Sequence, residues 1–252
     1  MKFNLKSLCL LFTAALLFNC SSDSSSDPSD PPTEISKFIQ SVSVVSAQDP
    51  SENTTITVSY DTDLKVTSVT DGTQTSLFVY NNGALSNITG EGEPLNVMEL
   101  YSQPQDAYEF GEVTQYDSNG NPFRVTLLDE EYDFNNNTYT TVEYTAEITY
   151  DNTPNPYFYT LDAAGIIDAL DNIELNFSSD VQNPMLVQAR MLLPNNNPSM
   201  VTLRNPDGNI IATVDFEYVY DADNYPTSAS VTAIDVVENE TSIYTATYTY
   251  LQ

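Results

Sequence analysis

The chain contains no histidine and no tryptophan, and its two cysteines, Cys9 and Cys20, both lie close to the N-terminus. Without histidine, Ser-His-Asp and Cys-His nucleophilic sites and His-ligated zinc are excluded. With no cysteine after Cys20 there is no disulfide framework, so packing and sheet hydrogen bonds must supply the stability. Basic residues are almost as scarce: 7 Lys+Arg face 36 Asp+Glu, for a formal charge of −29. Nucleic acid is therefore not an expected partner, because binding it requires basic side chains to neutralise phosphates. The acidity reads as the solvated surface of an exported protein rather than as a cation site.

What is present favours strands. A chain of 252 residues with 40% hydrophobic content is long enough to bury a core, and 17 Tyr and 11 Phe accompany abundant Thr and Val. From residue 37 onwards the period is two. In 141–150, Val142, Tyr144, Ala146, Ile148 and Tyr150 alternate with Thr and Glu, the pattern of a half-buried antiparallel strand. Phe123, Val125 and Leu127 mark its partner across a turn at Asn135-Asn136-Asn137. A second long hairpin runs from 228–237 through Glu238-Asn239-Glu240 to 243–251, and Val214, Phe216, Tyr218 and Tyr220 mark a strand upstream. Shorter hairpin units surround Asp61-Thr62-Asp63 and Asn81-Asn82-Gly83.

One seven-residue unit recurs, as Tyr116 to Pro122, Tyr150 to Pro156 and Tyr220 to Pro226. Each reads as a strand end, a turn and the start of another strand. Tyr offers an apolar ring with a hydroxyl that can reach water, Asp accepts turn N–H groups, Asn and Gly tolerate positive φ, and Pro opens the next strand. The alternating oxygens at Asp117 and Asp221 invite a calcium reading. An EF-hand loop needs Glu at its twelfth position, where Leu128 and Thr232 stand instead, so no metal site is assigned.

Two stretches break the alternation. Residues 91–105 read as a loop. Residues 162–170, with Asp162 as N-cap, predict a short helix weakened by Gly165, and 185–193 predict a further helical turn closed by Pro194. The middle section, 161–197, is expected to cover an open end or edge of the sheet.

At the N-terminus, Lys2 and Lys6 precede an apolar run over 8–18, which suits a signal-peptide core. Leu17-Phe18-Asn19-Cys20 resembles a bacterial lipobox, with Asn19 where a small residue is commoner. That resemblance implies cleavage before Cys20 and lipidation of its thiol; ordinary signal cleavage, leaving a free thiol at Cys20, is the alternative. The run from Ser21 to Pro32 is Ser, Asp and Pro only, a tether that buries nothing. Its Ser/Asp start is similar to the surface-export signals of Bacteroidota lipoproteins, which implies the outer face of the outer membrane. The organisation expected is signal peptide 1–19, tether 20–36 and antiparallel β domain 37–252.

The Tyr-Asp turns look like the YD repeats of bacterial shell proteins. Across 150–252, Asn155-Pro156, Asn196-Asn197-Pro198, Tyr218-Val219-Tyr220-Asp221, Tyr225-Pro226 and Tyr248-Thr249-Tyr250 resemble uncharacterised Bacteroidota lipoproteins grouped as a domain of unknown function with a porin-like fold. The resemblance implies an all-β chain: one large antiparallel sheet of successive hairpins, curled or closed into a soluble barrel-like structure. One or two short helical turns belong near 162–193. The resemblance brings no known active site with it.

A membrane-inserted barrel is the alternative architecture, but the apolar faces are Tyr, Ala, Val and Thr rather than Leu-rich. A carboxylate hydrolase is the alternative chemistry, yet Glu143 and Glu147 on one strand face stand about 13 Å apart, too far for an acid/base pair. The expected function is a non-catalytic surface lipoprotein that binds a nutrient, glycan or partner protein, without cofactor. A structural role in an envelope complex, with a sheet edge pairing to a partner strand, is the alternative. No ligand-binding residues are named; a sheet face or 161–197 is where they are expected.

Overall fold

The computed structural model describes residues 36–108, 111–133, 137–178 and 184–251. The expected signal peptide, Cys20, nearly all of the expected tether, and the turn residues Asn135 and Asn136 fall outside them. The chain opens with a meander of β1 (Ile39–Ser46), β2 (Thr54–Tyr60), β3 (Val66–Thr70), β4 (Thr75–Asn81), β5 (Ala84–Thr89) and the short β6 (Leu95–Asn96). Helix α1 (Val97–Leu100) and β7 (Gln105–Asp106) lead to β8 (Val113–Tyr116), β9 (Pro122–Asp133) and β10 (Thr138–Pro154). The middle section holds α2 (Phe158–Ala163), α3 (Ile166–Leu170), β11 (Glu174–Asn176) and β12 (Leu186–Gln188). Four long strands finish the fold: β13 (Asn196–Arg204), β14 (Ile210–Tyr220), β15 (Pro226–Asp235) and β16 (Glu240–Tyr250).

Thirteen strands form one antiparallel sheet in the order β6-β5-β4-β3-β2-β1-β16-β15-β14-β13-β10-β9-β8. The first and last strands of the sequence therefore meet in its middle, with Val42 opposite Tyr248 and Val44 opposite Ala246. The sheet is not closed, since β6 and β8 are its two ends. Chain length nevertheless forces it to curl. Laid flat, thirteen strands would separate β6 from β8 by about 58 Å. The sixteen residues 97–112 that join them reach no more than about 47 Å, because four are coiled in α1. Turns closed by Ser102 N–H on Glu99 O and by Gly111 N–H on Tyr108 O shorten the reach further.

Gly111 has φ 64°, and a Cβ there would fall 2.0 Å from the Thr126 carbonyl oxygen, so only glycine lets this link run against β9. Within the link β7 pairs parallel to β11, which pairs antiparallel to β12, placing a three-stranded sheet on the path between the two edges.

The inner face is apolar. Ile39, Val42, Val58 and Val66 from β1 to β3, and Ala229, Ala246 and Tyr248 from β15 and β16, pack against Leu161, Ala164 and Ile167 of the helical segment. Farther along the same face Ile148, Val201, Val214, Phe216, Val231 and Tyr244 bury one another, as the concave side of a curled sheet requires. The helices thus fill the roll as a plug. Of the segment 161–197, expected to cover an open end or edge of the sheet, α2 and α3 pack on the inner face at the end where β1 begins and β16 finishes, and β11 and β12 join the link between the two edges.

Helix detail also departs from expectation. Asp162 sits inside α2 rather than capping it, and Gly165, at φ 72°, breaks the segment into two helices. Residues 185–193 do hold the expected helical turn, as a 3₁₀ segment at Ala189–Leu192, though β12 precedes it, and 91–105 contain β6 and α1.

Turn chemistry explains the register. In the turns after Tyr60, Tyr116, Arg204 and Tyr220, the second residue donates its N–H to the carbonyl of the sixth: Asp61 to Lys65, Asp117 to Asn121, Asn205 to Asn209 and Asp221 to Tyr225, all at 2.9–3.0 Å. The fifth residue has positive φ in each: Leu64 62°, Gly120 80°, Gly208 81° and Asn224 63°. Pro122 and Pro226 then open strands, as their missing N–H favours. The unit from Tyr150 does not turn. Its fifth position is Pro154, whose ring fixes φ near −65°, so β10 continues to Pro154 and the chain enters α2 instead of a strand.

The strand-end tyrosines do not reach for water. Four of them donate the hydroxyl to the first carbonyl of the preceding strand: Tyr60 to Ile39 O (2.6 Å), Tyr80 to Val66 O, Tyr150 to Pro122 O and Tyr250 to Pro226 O (each 2.7 Å). All four latches lie at one end of the sheet. Desolvation raises every one of these phenols, Tyr60 and Tyr80 to about 12.

Two outcomes follow from the latches and turns. Folding holds the phenols neutral, so their contribution is complete below the ordinary phenol pKa of 10.0 and is lost as pH rises through about 12. Tyrosinate absorbance should therefore rise together with loss of near-UV circular dichroism in that window, and Tyr150→Phe should lower denaturant stability by about 1–2 kcal/mol. Leu64→Gly should raise stability by about 1 kcal/mol, since leucine is strained at positive φ.

Candidate functional site

The latched end is where polar chemistry concentrates, and asparagine organises it. Asn121 is fully buried; its Nδ2 donates to Asp117 Oδ2 (2.8 Å) and Asn196 Oδ1 (2.9 Å), and its Oδ1 accepts from the N–H groups of Asn195 and Asn196. Asn155 N–H donates to Asn195 O, and Asn196 Nδ2 to Thr153 O. Asn197, also buried, donates to Thr153 Oγ1 (2.8 Å) and to the Tyr220 hydroxyl (3.2 Å), which itself donates to the Asp151 carboxylate. Asn195 to Asn197 thus tie the turn before β9, the end of β10 and the end of β14 into one network. From sequence, Asn196 and Asn197 are legible only as part of a family likeness; the Asn run between Pro194 and Pro198 was the available signal.

The carboxylates of the repeated turns are spent inside them. Asp117 Oδ1 accepts from Asn119 N–H (2.8 Å) and Asn121 N–H (2.9 Å), and Asp221 Oδ1 from Asp223 N–H (2.9 Å) and Tyr225 N–H (3.0 Å). Lys37, at the head of the folded domain, binds Asp221 Oδ2 (2.6 Å) and Asp223 Oδ2 (2.7 Å) and lies 5.4 Å from the Tyr225 ring centroid. Hydrogen bonds to Asp221 and Asp223 raise the Lys37 pKa. Desolvation works to raise Asp221, but Lys37 and the turn N–H groups outweigh it and the net shift is downward. Among the described residues no group of three or more acidic or sulfur side chains is arranged to hold a metal ion.

The segment 161–197, expected to hold function, buries Leu161, Ala164, Ile167 and Leu193 in the core, leaves Met185, Leu186 and Met191 exposed, and sets charges around the plug's rim. Desolvation and then Asp168 raise the Asp162 carboxyl, while Lys65 and Arg190 pull it down. Arg190 is 9% exposed; its Nε lies 4.0 Å from Asp171 Oδ1, and its buried Nη1 has no hydrogen-bond partner among the described residues. On the outer face Glu147 binds both Arg124 and Arg204, and those bonds lower its pKa, so it stays ionised and is no proton donor to a partner at Glu143.

What the site defines is an open, rolled antiparallel sheet plugged by its own helices, with its carboxylates engaged in turns and ion pairs. No family model matches the chain, and no curated protein matches it. Solved structures do. A porin-like protein from Bacteroides uniformis ATCC 8492 is 13% identical over 84% of this chain and 98% of its own, with a TM-score of 0.35. A porin-like protein from Bacteroides vulgatus ATCC 8482 is 11% identical over 85% and 99%, with a TM-score of 0.38. The LolA superfamily protein NE2245 from Nitrosomonas europaea is 10% identical over 86% of each chain, with a TM-score of 0.26. At these identities and scores none of them fixes a family or a function for this chain.

Asn121→Ala should cost about 2–4 kcal/mol in urea unfolding, because the part-buried N–H groups of Asn195 and Asn196 lose their acceptor and Asp117 and Asn196 lose a donor. Arg190→Met, which replaces an incompletely paired buried cation, should change stability by less than about 1 kcal/mol in the same assay.

Proposed function

We propose that the protein is a lipid-anchored lipoprotein of the cell envelope, carried on Cys20 at the outer face of the outer membrane, and that it acts as a non-catalytic binding module for a nutrient, glycan or partner protein. The observation that carries this reading is the disposition of the two faces. The inner face is filled by side chains and helices of the chain itself, and the polar end is consumed by its own turns, so the outer face is the surface left to recognise anything. The roll is also inside-out for a membrane-inserted barrel. Its buried apolar residues point inward, while outside Thr245, Thr247 and Thr249 stand exposed among scattered aliphatics, where lipid would require a continuous apolar band.

The anchor is supported by the lipobox-like Leu17-Phe18-Asn19-Cys20 and by the way the domain begins, with Lys37 clamped at the latched end. Between Cys20 and Lys37 lie the sixteen residues 21–36, whose Ser/Asp/Pro-rich composition is that expected of a tether with a reach of about 20–25 Å, enough to hold the domain beside a membrane. An assembly role is the second reading. It draws on the β9–β10 hairpin: pairing runs to Asp133 opposite Thr138, whereas β13 accompanies β10 only from Thr145 and β8 accompanies β9 only to Val125. The hairpin therefore projects as an arm bearing the exposed Tyr139.

Growth with an alkyne-bearing palmitate should label the protein, and Cys20→Ala should abolish the label and release the protein from the membrane pellet. Labelling that survives Cys20→Ala, or a wild-type protein that stays soluble and unlabelled, contradicts the anchor.

A further inference from the structure

The outer face of the roll is divided by charge. From β9 to β14 it carries Arg124, Glu143, Glu147, Arg204, Asp215 and Glu217. On β15, β16, β1, β2, β3, β4 and β5 the outward positions are Ser, Thr, Asn, Gln40 and a few aliphatics, with no charged residue among them. In a chain with 36 acidic residues, seven adjacent strands free of outward charge form a distinct surface. Thr245, Thr247 and Thr249 run along β16, between β1 and β15. Thr247 stands opposite Ser43 on one side and Ser228 on the other, and Ser41 opposite Thr249. Hydroxyls therefore recur about 6.7 Å apart along strands and about 4.8 Å apart between them. Some bond to one another, Ser41 to Thr249 at 2.7 Å and Ser43 to Thr55 at 3.0 Å.

Each hydroxyl is both donor and acceptor, so the panel matches a ligand that offers the same mixture and no charge. An anionic polymer would be repelled by the chain's charge of −29, and a cationic one would be drawn to the acidic remainder rather than to this panel. A second copy of the chain fits less well. The panel has no outward aromatic, and its aliphatics, Val45, Leu77, Val79, Ile234 and Ile243, are scattered among hydroxyls, whereas copy-to-copy interfaces are richer in apolar area. We propose that the outward face of β15, β16 and β1 to β5 is a docking surface for an uncharged polysaccharide, whose hydroxyls exchange hydrogen bonds with the Ser/Thr rows while its C–H faces lie on the aliphatics. This deepens the binding-module reading and rests on it.

The test is affinity gel electrophoresis of the full chain through neutral mannan, β-glucan and galactan, with alginate and polygalacturonate as anionic contrasts. Three variants accompany it: Thr247→Glu within the panel, Thr247→Ser to keep the hydroxyl, and Thr141→Glu on the charged half. At least one neutral polymer should retard the wild type, Thr247→Ser and Thr141→Glu alike. Thr247→Glu should weaken retardation at least about tenfold while its circular dichroism stays native, because a carboxylate there must be desolvated against a neutral ligand. Retardation by none of the neutral polymers, equal retardation of Thr247→Glu, or equal retardation by the anionic polymers overturns the proposal. So does a wild-type dimer in sedimentation that Thr247→Glu dissociates without any polysaccharide effect. If a native-envelope partner is captured equally by wild type and Thr247→Glu and no polymer retards either, the docking surface fails and the binding-module reading stands.

Discussion

A buried tyrosine hydroxyl donating to the first carbonyl of the preceding strand is the contact on which this fold depends. A phenol taken out of water must find an acceptor, and a strand's first carbonyl, beyond the last rung of the ladder, must find a donor. Tyr60, Tyr80, Tyr150 and Tyr250 meet both needs with the same bond, repeated across the sheet. The latches sew hairpin to hairpin at the end where β1 begins and β16 finishes, in a domain that has no disulfide to do so. Tyr220 is the variation: its hydroxyl goes to Asp151 and meets Asn197 at the start of β13, so the same end is closed by a network instead of a single bond.

Inside this sewn end the helices belong to the core. Thr160 Oγ1 accepts from Ile39 N–H at 2.8 Å, joining α2 to the first residue of β1, while Leu161, Ala164 and Ile167 meet strands from both halves of the sheet. Polar and charged groups are left with three kinds of work: closing turns, bridging as Glu147 does between Arg124 and Arg204, and solvating the rim. The division of the outer face into a charged half and a hydroxyl half is the strongest asymmetry that remains, and it is where recognition is sought.

Much of the architecture was legible from the sequence because period-two alternation and turn residues are local. The strands holding Val142 to Tyr150, Val214 to Tyr220 and Tyr244 to Tyr250 stand where the pattern puts them, and Pro122 and Pro226 open strands as their chemistry requires. The unit at Tyr150 misled because it was matched by its ends. Its fifth residue decides whether the chain turns, and Pro154 forbids the φ that Gly120 and Asn224 adopt. The pairing of β1 with β16, the plug and the Asn195–Asn197 network are long-range. A sequence shows that Asn121 is polar, but not that its side chain meets a segment seventy-odd residues away. The hydroxyl panel was visible strand by strand as Thr and Ser alternation, yet it became a surface only when the strand order set β1 beside β16.

The central claim is that α2 and α3 are a permanent plug latched into the roll, so that recognition takes place outside it. Native-state hydrogen exchange under increasing denaturant measures this directly. The N–H groups of Leu161, Ala164 and Ala169, bonded to Tyr157, Thr160 and Gly165 carbonyls, should open only with the same free energy and denaturant dependence as those of β1, β15 and β16. If the helical amides instead exchange through a separate, much lower-energy opening, the segment is a lid over an inner chamber and the claim is wrong.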